Sequence, residues 1–331
     1  MARANRQSVL RFSHRARPSP PGNQPPVKTD TLLKLTVAGL LVGVAAGCAV
    51  AGGGRRPSRG SRLAAYGAAL MAASVVADSA MEHYRGNYKK GAMNVAPIAA
   101  LITMATAITA ALSRKATFFK SAIFGGAITT GLFGLGFHFK NILERPGGLS
   151  FNNLFYRAPF GAPGAMILAG AAGLCSVKAA TADDRHLFGS GPGGERAGRS
   201  MGIVTAVGLF GLTAEIGLLH FRGSFQNKLM YVPVVAVPLT GVAMTAATAS
   251  RSPTARVLAR NMLVGTMTLG VVGTGLHSYG VSRGMGGYAN WMQNLFQGPP
   301  IPAPPSLAGI GLMGLSALDL LGRKGGRPRR G

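Results

Sequence analysis

Apolar runs of about 20 residues recur along the whole chain, separated by short connections rich in Arg, Lys, Gly, Asn and Pro. They lie at residues 32–52, 62–82, 92–112, 118–138, 159–178, 200–220, 230–249, 257–277 and 303–322. A run of that length crosses the hydrocarbon of a bilayer as a helix, and lipid offers its backbone groups no outside partner. The pattern therefore predicts an all-α polytopic membrane protein with about nine transmembrane helices. Composition agrees, at 47% hydrophobic and 13% charged residues, against about 25% charged in a soluble protein. Closely spaced glycines, such as Gly131, Gly134 and Gly136, or Gly208 and Gly211, suit tight contacts between such helices.

The net charge is +26. On a soluble chain that would point to nucleic acid. Here the basic residues sit between the apolar runs and at the two ends. The expected partners are the bilayer and its anionic headgroups, with no nucleic acid. Residues 1–31 form a basic, Pro-rich tail that is expected to be disordered and shares its look with organellar transit peptides. Residues 323–331 form a second basic tail, and 179–198 a polar Gly-rich linker. Cys48 and Cys175 lie in apolar runs without a CxxC spacing, so they read as small fillers. Ala45-Ala46-Gly47-Cys48 only loosely resembles a lipoprotein box. Gly189–Gly194 lacks the strand and Gly-Lys-Ser of a phosphate loop, and no hydrolase motif is present.

The sequence also repeats itself. At an offset of 137, Asp78 matches Glu215, His83 matches His220, Tyr84 matches Phe221, Arg85-Gly86 match Arg222-Gly223, and Met93 matches Met230. After small shifts, His138 matches His277, Gly147-Gly148 match Gly286-Gly287, and Asn153-Leu154-Phe155 match Asn294-Leu295-Phe296. Register held through polar residues predicts a duplicated four-helix unit, at 62–178 and 199–322, with the segment 32–52 outside it. An even number of spans per unit sets the two copies in parallel orientation, about an axis along the membrane normal.

Connections on one side carry roughly twice the Lys and Arg of those on the other. The positive-inside rule places the richer side in the cytoplasm. The four His-bearing connections then face the periplasm, and a bacterial inner membrane is the expected location. The basic N-terminal tail fits this poorly if residues 32–52 also span.

Four histidines, His83, His138, His220 and His277, end predicted spans on that one face. Asp78 and Glu215 each precede a His by five residues, which places them about 7.5 Å deeper along a helix. An ionisable group at that depth is costly unless paired, and it marks function by default. The expected partners are the histidines, Arg85, Arg222 or a bound cation. Imidazole with carboxylate suits a transition metal, and paired imidazoles suit haem, with redox exchange to quinone or another redox partner. The same groups could instead form the binding site of a small-solute or ion transporter. A structural membrane protein with interfacial His, Tyr and Arg is the third reading. Asn153, Asn294, Tyr288, Trp291 and Gln293 lie in the two longest connections on the His side. They read as an interfacial belt or as a lid over the site.

Overall fold

The computed structural model describes residues 57–113, 115, 118–157, 160–182 and 192–322. The N-terminal tail, the segment 32–52, residues 183–191 of the Gly-rich linker and the C-terminal tail lie outside the described residues. Helix dominates the described residues, and none of them is in a strand.

Among the described residues eight helices are long and apolar enough to cross a membrane, so the chain is an integral, multi-pass membrane protein. They are α1 (Arg59–Arg85), α2 (Val95–Leu112), α3 (Phe118–Leu143), α5 (Gly161–Ala182), α6 (Pro192–Arg222), α7 (Tyr231–Ala249), α8 (Pro253–Ser282) and α10 (Pro305–Gly322). Each coincides with one predicted span. Two seven-residue helices intervene, α4 (Phe151–Arg157) and α9 (Trp291–Gln297). The helices start where the chemistry favours it. Ser58 and Ser252 accept from the third residue onward, Ser61 N–H and Ala255 N–H, as N-caps do, and Pro253 occupies the first turn of α8.

Four helices make the centre. Helix α1 packs on α5 and α10, and α6 packs on α10 and α5, while α2, α3, α7 and α8 lie outside them. Of the apolar window of α10, 72% is buried, against 17% for α3. The central helices bury small side chains: Ala64, Ala65, Ala68, Ala72, Ala169, Ala172 and Ala317. The outer helices expose Ile98, Ile102, Phe133, Phe137, Val235, Leu239, Val271 and Val272, a surface that water would reject and lipid accepts.

Close approach depends on glycine at particular points. A Cβ on Gly131 would stand 2.6 Å from the Pro163 carbonyl, and one on Gly270 would stand 2.9 Å from that of Pro304. Likewise Gly170 lies against the backbone of Phe124, and Gly311 against that of Leu263. Gly134 and Gly208 also sit at helix contacts. Gly136 and Gly211 do not, since a Cβ at either meets nothing within 4 Å. Glycine spacing alone could not decide which face each one takes.

Candidate functional site

Helices α1 and α6 end alike. His83 Nδ1 bonds the Met93 carbonyl, and His220 Nδ1 bonds that of Met230 at 2.8 Å. Between those partners the chain turns through residues in the left-handed region: Asn87 and Tyr88 at φ 56° and 43°, Ser224 and Phe225 at φ 56° and 45°. Non-glycine residues adopt that region at a cost of the order of 1 kcal/mol each. The imidazole bond across each turn is one of the interactions that hold it. His277 Nδ1 donates to the Pro300 carbonyl at 2.8 Å. A carbonyl can only accept, so these three rings carry a proton on Nδ1. Their Nε2 atoms are the nitrogens left for other chemistry. His138 is within electrostatic range of His83, and His277 of His220.

The second pair of connections also matches. Asn153 Nδ2 donates to the Gly148 carbonyl at 2.8 Å and to Pro146 at 3.1 Å. Asn294 Nδ2 donates to Gly287 at 2.8 Å and to Met285 at 3.1 Å. Gly147, Gly148, Gly286 and Gly287 all have positive φ, which is where a side chain would be strained. The amides therefore lock the Gly-Gly turns. Tyr288 is tied back to Ser278, its OH donating to that carbonyl at 3.0 Å. Trp291 and Met292 are exposed at the start of α9, and Gln293 bonds Asn290 and Gln297.

Asp78 and Glu215 come within electrostatic range of each other. Both are half-buried. The Glu215 carboxyl accepts from the Gly161 backbone N–H, at the first residue of α5. The fit is close, since a Cβ on Gly161 would fall 1.7 Å from Glu215 Oε1. The amino end of a helix carries free N–H groups and partial positive charge, so it suits a carboxylate. Arg222 is also within electrostatic range of Glu215, and its guanidinium lies 5.3 Å from the Phe155 ring centroid. Asp78 has an acidic neighbour instead, Glu82.

Several expectations change. Among the described residues no ion pair joins either carboxylate to a histidine. Arg85 pairs with Glu82 at 2.8 Å, on the surface, while Arg222 turns toward Phe155. The matched arginines thus part ways because Glu82 has Leu219 as its counterpart. Among the described residues no group of three or more His, Cys, Asp or Glu could hold a metal ion. Glu82 and Gly161 escaped the sequence reading. The five-residue spacing before His drew attention to Asp78 and Glu215 and passed over Glu82, and the role of Gly161 depends on a helix arriving from far along the chain.

Comparison with protein-family models, with curated proteins and with solved structures finds no match to this chain.

Proposed function

We propose that residues 62–178 and 199–322 are two copies of one four-helix unit, set side by side in the same orientation. The paired turns, the paired His and Asn hydrogen bonds and the paired glycine contacts support this reading. So do the ring contacts between units: Tyr84 stacks on Phe296 at 5.3 Å, and Phe221 meets Phe155 edge-on at 5.5 Å. These are matched residues with their roles exchanged, as a twofold axis requires.

On that frame the protein is a transporter of protons or a small cation, with Asp78 and Glu215 as its binding centre. The observation that carries the reading is the approach of these two carboxyls, one from each unit, inside a bundle of apolar helices. Two acids near each other in such a setting bind a proton or cation more readily than either alone. Gly161 positions Glu215, and Arg222 moderates its charge. The charge asymmetry of the connections favours a bacterial inner membrane with the His-bearing turns toward the periplasm.

The test is flux into proteoliposomes holding the full chain, driven by a pH step or a potassium diffusion potential, with monovalent cations offered in turn. Asp78→Asn and Glu215→Gln should each lower flux at least about tenfold, the scale set by one lost charge interaction. Equal flux in both variants would end the reading.

A second reading, a metal or haem site with a redox role, rests on a separate observation. Three of the four imidazoles have Nδ1 held by a backbone carbonyl, the arrangement that orients ligating histidines. A visible absorption band or stoichiometric iron, zinc or manganese in purified protein, lost in His83→Ala and His220→Ala, would support it.

A further inference from the structure

One connection at the histidine-bearing rim differs from the rest. The links that follow α1, α3 and α6 carry charge there: Lys89 and Lys90, Glu144 and Arg145, and Lys228. The link from α8 to α10 is the longest of the four, yet no side chain from Gly284 to Pro304 is charged.

Helix α8 fixes the depth of this link. Arg260 and Arg283 bracket an uncharged stretch, 261–282, which rises about 33 Å as a helix and so matches the roughly 30 Å hydrocarbon of a bilayer. Residues 277–280 thus lie where hydrocarbon meets headgroups. Both ends of the link are tied to that one turn. The Tyr288 OH donates to the Ser278 carbonyl at 3.0 Å, and His277 Nδ1 donates to the Pro300 carbonyl at 2.8 Å. Pro299 packs on Gly280, where a Cβ would stand 2.7 Å from the ring. Helix α9 lies between those ties, so it is held at the level of the rim.

The faces of α9 meet three surroundings. Asn294 is buried, with its amide on the Gly287 carbonyl. Gln293 and Gln297 are exposed and form a polar row with Asn290, Asn290 Nδ2 donating to Gln293 Oε1 at 3.0 Å and Gln293 Nε2 to Gln297 Oε1 at 3.4 Å. At about 100° per residue, Trp291, Met292 and Leu295 fall on the side opposite that row. Trp291 is 54% exposed, and Met292, Tyr288 and Met285 are exposed with it. Water is a poor solvent for these side chains. Tyrosine and tryptophan sit best where an apolar region meets a wet one.

We propose that α9 is an interfacial helix that seats Met285, Tyr288, Trp291 and Met292 in the lipid leaflet at the histidine-bearing rim, with Asn290, Gln293 and Gln297 toward water. The partner is the lipid surface, met through its apolar depth and not through headgroup charge, because the link has no charge to offer. The inference rests on the placement of α9 and not on any transport activity.

The chain supplies its own probe, because Trp291 is its one tryptophan. The test uses the full chain in phosphatidylcholine nanodiscs, which leave both rims open to an aqueous quencher. Emission from Trp291 should lie well to the blue of tryptophan in water. Phosphatidylcholine brominated near the headgroup end of its acyl chains should remove most of that emission, and lipid brominated near the chain ends much less. Acrylamide should quench it weakly. Carrying the indole across the helix, by Trp291→Phe with Gln293→Trp, should reverse the pattern, with strong quenching by acrylamide and little by either lipid. Strong acrylamide quenching of the unaltered chain, with no loss to brominated lipid, would put the segment in water and overturn the proposal. Resistance to every quencher would mean that protein covers it, a second copy or the bundle itself, and would overturn it equally. An equal response from the two indole positions would overturn the assignment of faces.

Discussion

Glu215 and Gly161 are in direct contact, the carboxyl of one accepting the backbone N–H of the other at the amino end of α5. No side chain fits between them, because a Cβ at 161 would lie 1.7 Å from Glu215 Oε1. Gly161→Ala should therefore displace the carboxyl and lower flux as far as Glu215→Gln does. Gly164→Ala, one turn on and with nothing within 4 Å of its Cβ, should leave flux unchanged. Proteoliposome assays of the two alanine variants side by side make the comparison.

The histidine turns predict stability effects. Removing the ring from His220 deletes its hydrogen bond to Met230 and leaves a carbonyl unsatisfied in a strained turn. His220→Ala should cost about 1–3 kcal/mol. It should lower the melting temperature of detergent-solubilised protein by a few degrees. Carboxylate-dependent flux per folded molecule should be retained if the rings only hold their turns.

The asparagines differ in burial, which sets the size of their effect. Asn294 is 8% exposed and its amide donates to two carbonyls, at 2.8 and 3.1 Å. Asn294→Asp replaces that donor with an acceptor facing acceptors. The expected loss is about 2–4 kcal/mol, at the upper end for a broken buried network. Asn153→Asp, in the more exposed turn, should lose less. Chemical or thermal denaturation of both variants orders them.

Glu195 predicts a pH effect. Hydrogen bonds from Arg199 at 2.9 Å and from Arg251 at 3.4 Å hold its carboxyl below the ordinary carboxylate range. A depressed value means the tie is complete at neutral pH and is lost as pH falls through the folded-state value, below 4.5. Amide exchange in residues 195–200 and 250–253 should quicken over that acid range beyond the intrinsic change of the peptide rate. Glu195→Gln should show the faster exchange already at neutral pH.

Glycine contacts give a paired test of helix packing. Gly131→Ala forces a methyl to 2.6 Å from the Pro163 carbonyl and Ile167, whereas Gly136→Ala meets open space. The first should destabilise by about 1–3 kcal/mol and the second by nothing measurable beyond helix propensity. Thermal denaturation of the two variants decides it.

All eight described spans were legible in the sequence, because twenty consecutive apolar residues leave few alternatives. Helices α4 and α9 were not, since seven residues give too short a window for a helical period. The acids Asp78 and Glu215 were singled out by depth and matching offset. Their partners were read less well. The fate of Arg85 turned on Glu82, a single unmatched residue three positions away, and that of Glu215 on Gly161, which approaches only once α5 has packed. Local spacing can nominate a buried charge, but its counter-group is chosen by tertiary contact.

The exchanged rings at the rim have a further meaning. Tyr84 of the first half closes on Phe296 of the second, and Phe221 of the second closes on Phe155 of the first. Each half leaves an aromatic without its mate until the other arrives. Severed at the linker and produced as two polypeptides, the halves would still have in those rings the means to find each other.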